Sequence, residues 1–133
     1  PMVEHAVTLP EIALMACDTF LIPITPSHFS VNNSIKVLDK ELHLIKPHNP
    51  KVKFSGFFYS MVLTTATRRN AFFFNKMEEQ APGFVFKNFI RKDGQIEYAA
   101  GEGKTIFQFN PNCNAGNDYM QLTDELLKKL NHG

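Results

Sequence analysis

The sequence of 133 residues contains two cysteines, no tryptophan and almost no net charge. Cys17 and Cys113 are too few and too far apart for a metal-binding pair or a disulfide framework, which fits a reducing compartment. A formal net charge of +1 gives no global attraction to nucleic acid. No apolar run approaches the roughly 20 residues that cross a bilayer, and no signal-like start is visible. These absences predict a cytoplasmic protein that does not span a membrane.

The sequence also lacks the usual patterns of a catalytic or metal centre. There is no Gly-x-Ser-x-Gly elbow, and neither cysteine has a companion pattern that suggests a nucleophile. The histidines show neither the i,i+4 pairing nor the close spacing of metal ligands; they are His5, His28, His43, His48 and His132. No metal site is therefore predicted.

What the sequence does contain is an ordinary core-forming composition, 44% hydrophobic and 20% charged, which predicts one domain over residues 1–133. Capping signals and apolar residues at helical spacing predict four helices. The first helix begins at Thr8 and the second spans residues 31–45. The third runs from about Thr67 to before Ala81, and the last has Tyr119 to Leu130 on its apolar face.

Apolar runs without helical spacing predict strands at residues 20–24, 52–63 and 84–90, with a weaker extended piece at 105–109. The first, FLIPI, is apolar at every position and predicts a central strand buried on both faces. Helices alternating with such strands predict an α/β fold, a mostly parallel sheet with helices on both faces. Ligands bind such sheets beyond the carboxyl ends of the strands, here the loops 25–30, 60–69 and 91–104.

Gly103-Lys104-Thr105 raises the question of a phosphate-binding P-loop, whose pattern is G-x-x-x-x-G-K-[ST]. The first glycine of that pattern would be residue 98, which is Tyr98. The residues after Lys104 alternate like a strand, whereas a P-loop leads into a helix. A turn entering a strand is therefore the better prediction.

Several short motifs nevertheless occur in an order that resembles the C-terminal half of the ParA/Soj/MinD family of P-loop ATPases. In that family an AAD precedes the strand VLIPV, and a GVLLT strand, an IPR loop, a Gly-Lys and a Y..L..E helix follow. The matching positions here are Ala16-Cys17-Asp18, Leu21-Ile22-Pro23-Ile24, Gly56 to Ser60, Ile90-Arg91-Lys92-Asp93, Gly103-Lys104-Thr105-Ile106, and Tyr119 with Leu122 and Glu125.

The resemblance implies a cytoplasmic ATPase that uses ATP and Mg, dimerises around ATP, binds DNA non-specifically or a membrane, and positions plasmids or chromosomes with a ParB-like stimulating partner. The family's P-loop, catalytic Asp and Mg ligand belong to the N-terminal half and match no residue here. No catalytic residue or metal ligand is therefore assigned, and this chain alone is not expected to hydrolyse ATP or to bind it tightly.

Two groups of residues correspond to functional segments of the family. Ser60, Met61, Arg91, Lys92 and Asp93 correspond to the base-contacting segments and predict the purine side of a nucleotide pocket. The alternative is that Met61 belongs to the core and that Asp93-Gly94 is only a turn.

Arg68, Arg69 and Lys92 are predicted to contact DNA phosphates without reading sequence. The C-terminal end is too short for the family's membrane-binding helix, so DNA rather than a membrane is the expected partner, together with further copies of the chain. Two alternatives remain open: a stand-alone, non-catalytic binding or adaptor module with this half-fold, and a MinD-like or nitrogenase-like relative with another cargo.

Overall fold

A computed structural model describes residues 6–132, in which a two-stranded parallel sheet lies between helices. The predicted α/β class is confirmed. In chain order the elements are α1 (Leu9–Ala16), β1 (Thr19–Ile24), α2 (His28–Ile45), β2 (Lys53–Tyr59), α3 (Thr67–Gln80), α4 (Gln95–Gly101), α5 (Ile106–Phe109) and α6 (Asn114–His132). Within residues 6–132 no helix is long and apolar enough to span a membrane.

β1 has a neighbouring strand on one side only. It pairs in parallel with β2, from Thr19 opposite Lys53 to Ile24 opposite Tyr59, and no strand among residues 6–132 lies along its other edge. Its side chains are half-buried except for exposed Pro23 and buried Ile24. The prediction that this strand is central is therefore wrong within residues 6–132, because apolar composition shows that a strand can be buried, not that it has a neighbour along each edge.

The segment at residues 84–91 runs beside β2 but is not the regular strand that its apolar residues predict. Its pairing with β2 and the loop after β2 is limited to two isolated parallel bridges, Phe57 with Val85 and Val62 with Arg91. Between these bridges, the main-chain N–H groups of Lys87 and Asn88 donate to the carboxylate of Glu125 on α6, both at 2.9 Å. The two consecutive N–H groups thus share one side-chain acceptor, whereas in a regular strand they would point to opposite sides.

Gly56 allows this segment to approach β2 closely. The register slips by one residue here, since Phe20 pairs with Phe54 and Leu21 pairs with Gly56, which leaves a β-bulge at Ser55. Gly56 has φ of 146°, and a Cβ at this position would lie 2.8 Å from the carbonyl oxygen of Phe84. Glycine therefore provides both the backbone conformation and the space.

The sheet is covered on both faces by separate apolar clusters. Phe57 packs in the cluster beneath α2 and α3, and the next residue, Phe58, packs in the cluster beneath α6. In the first cluster the buried hydroxyl of Tyr59 donates to the carbonyl oxygen of Phe73 at 2.8 Å, and burial raises the Tyr59 pKa well above its usual range. The alternation of neighbouring side chains explains why strand β2 reads as continuously apolar.

Residues 105–109 form a helix instead of the predicted extended piece. Thr105 caps α5 through a reciprocal capping box: its hydroxyl accepts from the N–H of Gln108 at 3.2 Å, and the Gln108 side chain accepts from the N–H of Thr105 at 2.9 Å. Gly103-Lys104-Thr105 thus does precede a helix. The argument against a P-loop from a strand after Lys104 is therefore wrong. Tyr98, however, lies inside helix α4, where a P-loop requires a glycine-rich loop after a strand.

Candidate functional site

The carboxyl end of β2 is joined to residues 90–92 by main-chain hydrogen bonds. The N–H of Val62 donates to the carbonyl of Ile90 at 3.1 Å, and the N–H of Lys92 donates to the carbonyl of Val62 at 2.9 Å. Met61, the residue before Val62, has φ of 54° and is 60% exposed. Met61 therefore does not belong to the core, contrary to the alternative interpretation.

A cleft of about 480 Å³ opens at this edge of the sheet. The structure brings all five predicted base-contacting residues together in its wall, although they come from two loops 30 positions apart. The residues that line it are Ser60, Met61, Ile90, Arg91, Lys92, Asp93, Gly94, Ile96, Glu97 and Tyr119. The cleft lies beyond the carboxyl ends of parallel strands, where ligands of α/β sheets bind.

Arg91 is held by Asp118, a residue on α6 that the sequence patterns did not single out. The guanidinium donates from Nε and Nη2 to both carboxylate oxygens of Asp118, with the two shortest contacts at 3.0 and 2.9 Å. The main-chain N–H of Arg91 donates to the same carboxylate at 2.9 Å. The carboxylate raises the pKa of Arg91, first through this hydrogen bond, so the guanidinium stays charged.

Asp93 joins the beginnings of two helices. One carboxylate oxygen accepts from the N–H of Gln95 at 3.0 Å, at the start of α4, and the other accepts from the N–H of Ala115 at 3.1 Å, in the first turn of α6. These two donors lower the pKa of Asp93, because they favour the ionised carboxylate. Asp93 thus shapes the cleft by positioning helices, and the turn that Asp93-Gly94 predicts leads into α4.

Charges around the cleft nearly cancel. Arg91 and Lys92 contribute two positive charges, whereas Asp93, Glu97 and the neighbouring Asp118 contribute three negative charges. Since Arg91 is already paired with Asp118, the cleft offers an incoming phosphate little uncompensated positive charge.

A second cleft of about 280 Å³ adjoins the first and shares Met61 and Lys92 with it. Arg69, from the first turn of α3, lines it together with Lys92, and these two charged residues of the wall are both positive. Arg68 is exposed at the start of α3 and does not line this cleft. The structure therefore brings together two of the three residues predicted to contact phosphates.

The Y..L..E pattern of α6 has a structural explanation. Leu122 and Tyr119 pack in the apolar cluster under this helix, and Tyr119 also lines the first cleft. Glu125 accepts from two main-chain N–H groups of the 84–91 segment and from the side chain of Asn88 at 2.7 Å. The pattern thus fixes the segment that leads into the cleft.

Both cysteines are free thiols. Cys113 is buried, and its sulfur accepts from the N–H of Gly116 at 3.4 Å. No group of three or more His, Cys, Asp or Glu side chains suited to a metal ion is found within residues 6–132.

Fold and cleft together define an α/β protein with a cleft beyond the carboxyl ends of two parallel strands, the place where ligands of such sheets bind. No protein-family model matches the sequence. The chain is 33% identical over 119 residues to a ParA family protein of Chlamydia trachomatis and to one of Chlamydia muridarum. It is 28% identical over 126 residues to an uncharacterized protein of Methanocaldococcus jannaschii.

These similarities extend over most of this chain and less than half of each relative. The Chlamydia matches cover 90% of the chain and 46% of the relative, and the Methanocaldococcus match covers 89% and 46%. The chain therefore spans about half the length of the relatives it matches. It is related to ParA family proteins, as the order of its motifs predicts.

Proposed function

We propose that residues 1–133 form one α/β unit of a larger ParA-like ATPase domain, equivalent to its C-terminal half, and supply the purine side of its nucleotide site. The name of the Chlamydia relatives and the motif order support the family assignment. The observation that carries the site is the convergence of Ser60, Met61 and residues 91–93 in one cleft.

The chemistry of this cleft suits a purine base better than a phosphate. Met61, Ile90 and Ile96 line the cleft together with polar residues such as Ser60, a usual composition for a small-molecule pocket. The near balance of charge favours an uncharged ring over an anion. Base contacts alone give weak binding, because phosphates and Mg provide most of the charge-assisted contacts of a nucleotide.

In this proposal the phosphate-binding loop, the Mg ligands and the catalytic Asp belong to the part of the relatives that this chain does not span. The whole protein would be a cytoplasmic ATPase for plasmid or chromosome partitioning, with ATP and Mg as cofactors. It would dimerise with ATP, bind DNA non-specifically and respond to a ParB-like partner.

Adenosine is expected to bind the cleft with a Kd in the millimolar range. In ¹H–¹⁵N spectra its addition should shift the amides of Ser60, Met61 and residues 91–93. ATP with Mg should bind no more than about threefold more tightly, because the extra phosphates find few charged partners. Met61→Ala should weaken adenosine binding about fivefold, since removing apolar contact area of this size costs about 1 kcal/mol.

Met120→Ala is the matched control, because Met120 is similarly exposed on α6 and does not line the cleft. Its adenosine affinity should equal that of the unmodified chain. Shifts confined to other surfaces, or equal effects of the two substitutions, would contradict a purine site. Complete absence of nucleoside binding would favour the stand-alone adaptor function.

For DNA we propose Arg68, Arg69 and Lys92 as phosphate contacts. Arg69 and Lys92 line the second cleft. The shared cleft of Arg69 and Lys92, without an acidic residue in its wall, supports this assignment. Arg69→Ala and Lys92→Ala should each weaken binding of a duplex of mixed sequence. Each should also lower the slope of log K against log salt by about one, as loss of one phosphate contact predicts.

Lys40→Ala on α2 serves as the charge-matched control for the DNA measurement, since Lys40 is exposed and lines neither cleft. Fluorescence anisotropy between low and moderate salt measures all the slopes. An equal decrease in the control would mean that only net charge matters, and unchanged slopes in both cleft variants would exclude these contacts.

A further inference from the structure

We propose that Asp118 is a positioning residue for the cleft: by gripping Arg91 it holds residues 91–94 in the conformation that forms the cleft wall. This inference rests on the proposed nucleotide site and adds a residue to it that no sequence motif indicates. Asp118 does not line the cleft, so it acts through Arg91 and not by touching a ligand.

The direction of the main chain shows what Asp118 contributes. The N–H groups of Ile90 and Lys92 point toward β2 and its loop, where they donate to Tyr59 and Val62 at 2.8 and 2.9 Å. The intervening N–H of Arg91 points the other way and donates to Asp118 at 2.9 Å. On the side of this extended segment that faces away from β2, the Asp118 carboxylate therefore accepts the hydrogen bond that a neighbouring strand would otherwise accept.

The guanidinium contacts add a second attachment at the same residue. Nε and Nη2 of Arg91 face Asp118, which leaves Nη1 without a hydrogen bond among the described residues. The Asp118 side chain is only 8% exposed, while that of Arg91 is 34% exposed. The carboxylate is thus a fixed anchor, and Arg91 extends from it to the cleft wall.

Burial makes this anchor sensitive to a small chemical change. An ionised carboxylate offers acceptors on both oxygens, whereas an asparagine of the same shape offers one oxygen and directs an N–H₂ group toward a cation. Asp118→Asn therefore preserves the volume of the side chain and removes the paired contact to Arg91. The loop should then sample other conformations, with a more open wall.

Amide hydrogen exchange and adenosine titration of the 133-residue chain test the proposal. In Asp118→Asn, exchange at the Lys92 amide should accelerate about tenfold, and the affinity for adenosine should decrease about tenfold, the usual scale for loss of a charged hydrogen bond. Asp124→Asn removes the same charge from an exposed position on the same helix and should change neither quantity.

Two results would overturn the inference: unchanged exchange at Lys92, or adenosine affinity within twofold of the unmodified chain despite faster exchange. If the unmodified chain binds no adenosine, the purine site itself is wrong, while the exchange rates still decide whether Asp118 orders the loop. If Asp118→Asn does not fold, Arg91→Lys replaces it, since this change breaks only the guanidinium contacts; unchanged adenosine affinity would then overturn the proposal.

Discussion

Gly56→Ala is expected to destabilise the chain by about 3 kcal/mol, the combined scale of overpacking and backbone strain. The added Cβ would lie 2.8 Å from the carbonyl oxygen of Phe84 and 2.8 Å from the Phe86 ring, and φ of 146° is unfavourable for any residue with a side chain. The carbonyl of Phe84 cannot retreat without weakening its hydrogen bond from the N–H of Phe57, which is 2.7 Å long. Denaturant unfolding at equilibrium measures the change.

Substitutions at two other glycines separate the contribution of overpacking from that of backbone strain. Gly83 has φ of 77° and open space where a Cβ would stand, so Gly83→Ala should cost only about 1 kcal/mol, from strain alone. Gly94 has φ of −62° and also faces open space, so Gly94→Ala should be neutral or slightly stabilising. If Gly56→Ala cost no more than Gly83→Ala, the close approach of residues 84–86 to β2 would be incorrect.

Asp93→Ala is expected to lower the free energy of unfolding by about 2 kcal/mol, because one carboxylate accepts from main-chain N–H groups at the beginnings of two helices and each such hydrogen bond contributes about 1 kcal/mol. The N–H groups of Gln95 and Ala115 would both lose their acceptor. The same change should remove the adenosine response of the cleft, since α4 and α6 both carry residues of its wall. Asp39→Ala, at an exposed position of α2, is the control for loss of charge.

The stabilisation by Asp93 should also depend on pH with a defined sign. The folded pKa of Asp93 is lowered, chiefly by the N–H donors of Gln95 and Ala115. A lowered pKa means that the stabilisation is fully present above the unfolded pKa of about 4 and is lost as the pH falls through the folded pKa. The stability difference between the unmodified chain and Asp93→Asn should therefore be constant near pH 7 and decrease below about pH 4. A difference that grew on acidification would contradict this assignment.

Four of the six helices within residues 6–132 and the residues of the first cleft could be predicted from the sequence, for different reasons, whereas α4 lies in a predicted loop and α5 in a predicted extended piece. Helix α2 follows directly from apolar spacing and α1 from the capping box of Thr8, because both signals lie within a few residues. The grouping of Met61 with Arg91 and Asp93 came from resemblance to a family, since no local pattern connects positions 30 apart. Once two parallel strands are in place, their carboxyl ends bring such loops together.

The incorrect or incomplete predictions have two kinds of cause, a contact that is distant in sequence and a local signal that was outweighed. Residues 84–90 are apolar enough for a strand, yet Glu125 on α6 takes two of their main-chain donors. Residues 105–109 alternate like a strand, and this alternation led to the prediction of an extended piece. The Thr105–Gln108 capping box, a local helix signal, decides the conformation instead. Asp118 was missed because an acid in the first turns of a helix is common and usually acts locally.

The hydrogen bonds that build the first cleft close short stretches of chain. Arg91 and Asp118 are 27 residues apart, and Asp93 and Ala115 are 22 residues apart. Closing loops of this size costs little more entropy than closing loops half as long, and contacts at short sequence separation favour rapid folding. The 91–93 loop and the beginning of α6 are therefore held together by contacts within one short part of the chain, to which β1 contributes no partner.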